Sequence, residues 1–583
     1  MTIFRTALAA LSGASLLALA ACASVPAGPA AGPRASATPD AVDDDSSAYG
    51  LFLAGTSAFS VGDKRAAADL FARAARQDGD APFLKEWAFT AALVAGDVHH
   101  AALLAPDSAT LTPETLQLGR LTRAVDDLAA GKGAEAQTLL TNPPLGAPFA
   151  TAGVLLAPWA AAEAGDWKTA LTAPPRRGER LIDDINRLDY ALLLEHHHRL
   201  DDADAVYRRL MSDAGGSVNF TTAYGGFLER RGRGADALAV YQAALKGDPA
   251  NRAMREAVGR VQSGRPAPPA PSLAQGAAEA LLGPAEVLIA EKQPELGLAY
   301  LRLVLRLDPG RDEAWMLLGE SMVANGDLPA AREAFGHPQP GSPDYVEARA
   351  RLISTYDGSP DDNPAVLKIA EETVKAAPGD DDALTLLADA LRINERYAES
   401  AKVLDQLIAD QGAGAGWQLY YMRGVALQQA DHWPEAEADM KHALELNPDE
   451  PDVLNYLAYS WVDRGERLPE AKAMIEKAFA AKPDSGAIAD SLGWVYFRMG
   501  DYRKAVDQLE HAAELEPADP DINNHLGDAY WRDGRKTEAR YQWERVLTLA
   551  PDAKLRGEVE GKLKSGLTAV ESRVAEAAAP AAQ

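Results

Sequence analysis

Small, large and aromatic positions recur through this chain at a fixed interval, and the recurrence is sharpest near its C-terminal end. Leu492, Gly493, Tyr496, Gly500, Ala505 and Pro517 return as Leu526, Gly527, Tyr530, Gly534, Ala539 and Pro551, each 34 positions further on. The interval predicts a repeated pair of antiparallel helices. Gly493 and Gly527 sit inside the first helix, where the missing Cβ lets the second helix approach at a propensity cost of about 1 kcal/mol. Ala505 and Ala539 present the matching small surface, and Tyr496 and Tyr530 fill the space beside it. Gly500 and Gly534 take the positive backbone angle that stops the first helix. Pro517 and Pro551 end the second, because proline lacks the donor to continue it. One hairpin cannot bury its apolar face alone, so copies must stack into a solenoid.

The pattern extends, more loosely, over most of the chain. It begins near Ala48 with Gly55, Gly62, Ala67, Phe71 and Ala74, degenerates through Gly96, Gly131, Gly165 and Ala203, and recovers from Tyr224 to Pro249. Residues 48–262 are therefore expected to form a first lobe of about six hairpins. Four prolines between Pro266 and Pro271 interrupt the stacking, which places a linker and lobe boundary at 263–276, either a hinge or a loop packed on the surface. A second lobe is expected over 277–552, growing more regular through Trp315, Leu387, Gly424 and Trp461, with one extra residue in the turn from Gly465 to Pro469. Leu555, Val559, Leu563, Leu567 and Val570 predict an amphipathic capping helix over 553–576. Residues 577–583 read as a disordered tail.

These marker residues resemble those of the tetratricopeptide-repeat family, which implies an all-α superhelical solenoid, here in two lobes. Composition agrees: the chain is rich in alanine, has 7% aromatic residues and lacks long valine or isoleucine runs. A net charge of -27 argues against nucleic acid or an anionic membrane surface as a partner of the body. The charge serves solubility of a long surface on one reading and steering of a basic partner on the other.

Residues 1–21 read as a signal peptide, with Arg5 ahead of an apolar run from Ala7 to Ala21 that is too short to span a membrane. The run ends Leu19-Ala20-Ala21-Cys22, which looks like the lipobox of bacterial lipoproteins. By that resemblance Cys22 is the lipidated first residue; the alternative is an ordinary secretory signal with Cys22 incidental. Several acyl chains anchor stably where one is marginal. Ala23 follows the cysteine, which in that family directs export to the outer membrane. Cys22 is the only cysteine, so no intrachain disulfide is available, and no second membrane span is expected downstream. Residues 22–47, built of Ala, Pro, Ser and Gly with Asp43, Asp44 and Asp45, read as a disordered tether with a coil reach of about 25 to 30 Å.

Catalytic and cofactor patterns are not found: there is no phosphate-binding glycine loop, nucleophile elbow or zinc-binding His-Glu-x-x-His. His196, His197 and His198 fall at an expected turn, where consecutive side chains diverge, so a solvated turn is weighed against a metal site and no metal or other cofactor is assigned. In tetratricopeptide folds the first helix of each unit lines the inner groove. By that resemblance the groove of the last four units contains Tyr421, Asn455, Tyr459, Asp490, Trp494, Phe497, Arg498, Asn524, Asp528, Trp531 and Arg532. Asparagine can pair a donor and an acceptor with an extended backbone, aromatics give stacking area, and arginine can receive a carboxylate. Trp494 and Trp531 also fit packing between neighbouring repeats.

Leu454-Asn455-Tyr456-Leu457-Ala458-Tyr459, the lengthened turn after it, Ala489-Asp490-Ser491-Leu492-Gly493-Trp494 and His525-Leu526-Gly527-Asp528 go beyond generic repeat sequence. With the lipobox and the two-lobed layout they resemble the proteobacterial outer-membrane lipoproteins that act as adaptors for a carboxyl-terminal processing protease. The close match covers roughly the last 130 residues and the signal. It implies a non-catalytic, membrane-tethered protein on the periplasmic face that binds the protease and its substrates, including peptidoglycan hydrolases. A scaffold or pilotin for a secretin, pilus or cell-wall synthase is the alternative, and an enzyme is the reading the residues favour least.

Overall fold

The fold described here is a computed structural model. It describes residues 47–567, apart from 79–80, 107–110, 176–177, 215–217, 250, 292, 357–358 and 360. Cys22 and the expected signal, all but the last residue of the tether, and the tail lie outside the described residues.

The described residues form 30 α-helices and no strand, with one isolated bridge between Thr141 and Pro144. The reference hairpins show why. Ser485 caps the helix Gly486–Arg498 by accepting from the Ile488 amide, and Asp519 caps Pro520–Arg532 by accepting from that of Ile522 at 2.9 Å, which satisfies donors a helix start leaves orphaned. Gly500 (φ +81°) and Gly534 (φ +92°) break the first helices as expected. A Cβ on Gly493 would stand 2.5 Å from Leu509 Cγ, and one on Gly527 2.5 Å from Trp543 Cδ1, so both glycines are contact points between paired helices. Ala505 and Ala539 are fully buried opposite them. The turn with the extra residue holds two left-handed positions, Gly465 (φ +72°) and Arg467 (φ +46°).

The chain divides into two compact units and passes between them three times, once inside the proline-rich stretch, at Ala270 and Pro271. The first unit comprises Met1–Asp213 with Pro271–Pro309, and the second Ala214–Ala270 with Gly310–Gln583. The expected boundary at 263–276 thus contains one of the crossings, but the expected lobes 48–262 and 277–552 do not coincide with the units, because Ala214–Ala270 joins the second and Pro271–Pro309 the first. Helix Leu273–Ala290 packs on Ala150–Glu163 and Arg180–His196, and Pro294–Leu307 packs on Pro82–Ala95, Val98–Leu104 and Pro113–Ala129. Leu273–Ala290 is long and apolar enough to cross a membrane, yet Ala277, Ala278, Ala280, Leu281, Leu282 and Ala285 are buried within the first unit. Gly276 makes that docking possible, since a Cβ there would lie 2.1 Å from the Trp159 ring. Arg306 pairs with Asp126 at 2.8 Å, a contact 180 residues apart in sequence. In the second unit, Arg252 pairs with Asp380, which ties helix Arg252–Gln262 to the segment that follows Gly310, and Arg230 donates to the Pro268 carbonyl at 3.2 Å.

The histidine run ends a helix as expected. Helix Arg180–His196 stops there and His198 takes φ +58°; His197 and His198 are exposed, His197 stacking on Trp167 at 4.6 Å, while His196 is half-buried with Nε2 2.5 Å from the Pro271 carbonyl. Among the described residues no three His, Cys, Asp or Glu side chains are grouped to hold a metal ion.

Candidate protein-binding groove

The second unit ends in four hairpins whose first helices are Trp417–Gln429, Pro451–Arg464, Gly486–Arg498 and Pro520–Arg532, followed by the cap Ala553–Ser565. The last three first helices pack side by side, so side chains at matched registers form rows across one face. Asn455, Asp490 and Asn524 make one row; Tyr459, Trp494 and Asp528 make the next.

The cap closes the C-terminal end of this face. Lys562 is 1% exposed, and its Nζ donates to Asn524 Oδ1 at 2.9 Å and to Asp528 Oδ2 at 2.7 Å, with Glu558 Oε1 at 2.5 Å. Asp528 also accepts from Trp543 Nε1 at 3.0 Å. Burial pushes the Asp528 carboxyl up against the pull of Lys562. Asn524 and Asp528, expected as open groove residues, are therefore satisfied internally. Trp531 is half-buried, leans on Trp543 with ring centroids 5.3 Å apart, has Lys536 Nζ 5.2 Å from its centroid, and meets the chain again at Gly566. Arg532 is exposed on the last turn of its helix.

One hairpin back, Trp494 is the middle ring of a stack, 4.6 Å from Phe497 and 4.1 Å from His525. His525 Nδ1 lies 2.9 Å from Asp490 Oδ2. Burial works against the imidazolium, but the charge and hydrogen bond of Asp490 outweigh it and raise the His525 pKa. Phe497 and Asp490 are buried, so this part of the face is also a joint between repeats. Arg498 Nη1 donates to the Asp463 carbonyl at 2.9 Å.

The face opens around the Pro451–Arg464 helix. Tyr421 meets Tyr456 edge to face at 5.8 Å, and Tyr456 donates to Gln428 Oε1 at 2.8 Å. Burial pushes the Tyr421 phenol up to about 12. Tyr459 is raised too, first by burial and then by the charges of Asp490, Asp463 and Asp521, with Arg498 opposing. Asn455 Oδ1 and Trp494 Nε1 are buried polar atoms without hydrogen-bond partners, which is costly unless something pairs with them. Both residues are half-buried.

Sequence reasoning gave no site role to Lys562, whose charge masked a buried position in the cap, or to His525, which stood only in the run His525-Leu526-Gly527-Asp528, one residue off the groove register. Asp463 and Asp521, one turn from Tyr459 and His525 respectively, were likewise missed; the i, i+4 spacing was the available signal.

The family profile described as Tetratricopeptide repeat matches residues 273–341, 367–415, 421–487 and 491–554. Over these segments, which together make up less than half of its length, the chain is similar to the tetratricopeptide-repeat family. The TPR repeat-containing protein PA4667 of Pseudomonas aeruginosa is 34% identical over 110 residues, 19% of this chain and 18% of that one. Bacteriophage adsorption protein A of Escherichia coli K12 is 28% identical over 111 residues, 18% of this chain and 11% of that one. The match thus spans less than a fifth of either relative's length. A tetratricopeptide-repeat protein from Parabacteroides merdae is similar in structure with a TM-score of 0.37 at 16% identity, over 43% of this chain and 97% of that one. Repeats of this kind generally serve as protein-interaction scaffolds.

Proposed function

We propose that this protein is an outer-membrane lipoprotein, anchored through Cys22 on the periplasmic face, that recruits a carboxyl-terminal processing protease and its cell-wall hydrolase substrates. The observation that carries its binding role is the open part of the second unit's face, where Asn455 Oδ1 and Trp494 Nε1 have no partner beside the half-buried rings of Tyr421 and Tyr459. Unpaired polar atoms beside aromatic area suit an extended polypeptide, whose backbone offers donors and acceptors in alternation. The tethering and the choice of protease rest on the Leu19-Ala20-Ala21-Cys22 sequence and on the adaptor resemblance of the last hairpins. The chain holds the partner, and the partner cuts.

The test is affinity capture from a periplasmic extract with the mature chain carrying Cys22→Ser, the retained proteins being identified by mass spectrometry. The proposal expects a carboxyl-terminal processing protease together with peptidoglycan hydrolases. Recovery of secretin, pilus or synthase subunits without a protease would replace it with the scaffold reading.

A further inference from the structure

Lys562 shows what the groove registers accept. Its ammonium is held by Asn524 Oδ1 at 2.9 Å and Asp528 Oδ2 at 2.7 Å, and the first of these atoms belongs to the same row as Asn455 and Asp490. Asn455 Oδ1 is thus the counterpart of an oxygen that, two hairpins on, receives a lysine from the chain's own cap. At Asn455 that oxygen has no donor.

The surroundings favour a cation there. Asn455, Tyr459 and Asp463 form an i, i+4, i+8 stripe along one helix. Asp490 contributes from the next helix and Asp521 from the one after, and all three carboxylates act on the Tyr459 phenol. Against them stand Arg498, already donating to the Asp463 carbonyl, and His525, which shares Asp490. The Tyr459 ring adds a face for a cation, and Trp494 Nε1 is a donor for a backbone carbonyl one hairpin away.

We infer that the open groove is a lysine-reading site: an extended partner segment inserts a lysine whose ammonium donates to Asn455 Oδ1 within the field of Asp463, Asp490 and Asp521, while a segment carbonyl accepts from Trp494 Nε1. The inference deepens the protein-binding reading above and rests on it. It also gives the acidic balance of the chain a local purpose, because charge of this sign draws a basic segment in and turns an acidic one away.

Fluorescence anisotropy with the full mature chain carrying Cys22→Ser tests it, using labelled lysine–alanine and glutamate–alanine alternating peptides as probes. The lysine peptide is expected to bind and the glutamate peptide not. Asn455→Leu leaves the net charge unchanged, so general attraction to an acidic protein is preserved; it should weaken the lysine peptide about tenfold through loss of one charge-assisted hydrogen bond. Asp463→Asn with Asp521→Asn, at exposed positions, should weaken it as well and flatten its salt dependence. Equal binding of both peptides, no binding of either, or unchanged affinity in Asn455→Leu with a native circular dichroism spectrum would overturn the inference. Should the periplasmic partner still be captured when the lysine peptide fails, the adaptor reading stands and only the lysine site falls.

Discussion

Lys562 and Asp528 form an ion pair at 2.7 Å with 1% and 4% of their surfaces exposed. It joins the cap to the first helix of the last hairpin, and Asn524, Trp543 and Glu558 complete its hydrogen bonds. Two buried charges are tolerable only because each satisfies the other.

Removing one partner should therefore cost far more than removing both. Lys562→Met is expected to destabilise the C-terminal hairpins by about 3–5 kcal/mol, and Lys562→Met with Asp528→Leu by much less. Urea unfolding of the single and double variants measures this. Equal losses would show that the pair is not coupled.

His525 makes the same region sensitive to pH. Its pKa is raised in the folded chain by Asp490, in the company of Asp521, Asp528, Lys562 and the Trp494 ring. A raised folded pKa adds stability that is complete below the unfolded value near 6.5 and is lost as pH rises through the folded value. Thermal unfolding should show wild type ahead of His525→Gln by a few degrees at pH 6, with the gap narrowing by pH 8.5.

Asp189 has the opposite history, in the first unit. It is 2% exposed with neither carboxylate oxygen hydrogen-bonded, and the nearby Trp159 indole N–H makes no normal bond to it. Burial first, and then Glu279, raise its pKa well above the usual value of 3.8. The folded chain thus prefers the protonated acid, and this group's contribution falls as pH climbs from about 4 toward the folded pKa. Over that range Asp189→Asn should remove the decline, so its stability at pH 7.5 relative to pH 5 should exceed that of wild type. A parallel pH profile for the two proteins would contradict this.

The repeat was legible because each marker residue answers a local need. Gly500 and Gly534 take the left-handed turn, and Gly493 and Gly527 let the paired helix approach. The proline-rich stretch marked one crossing between units, but which segments belong together was not legible, because Leu273–Ala290 and Pro294–Leu307 carry an ordinary hairpin pattern whose partners lie far off in sequence: Trp159 fits against Gly276, and Asp126 against Arg306. Periodicity reports which face is buried, not what covers it. The groove shows the same limit. Register put Asn455, Asn524 and Asp528 on one face, but only the position of Lys562 separates the occupied end from the open one.

The central claim, that partners dock on the open first-helix face of the second unit, is tested most directly by site-specific photocrosslinking in the periplasm. A benzoylphenylalanine probe replaces Tyr459 in one strain and Tyr541, 67% exposed on a second helix, in another. The account predicts a discrete crosslinked polypeptide from the Tyr459 position and none from Tyr541. Crosslinks from Tyr541 alone, or equally from both, would contradict it.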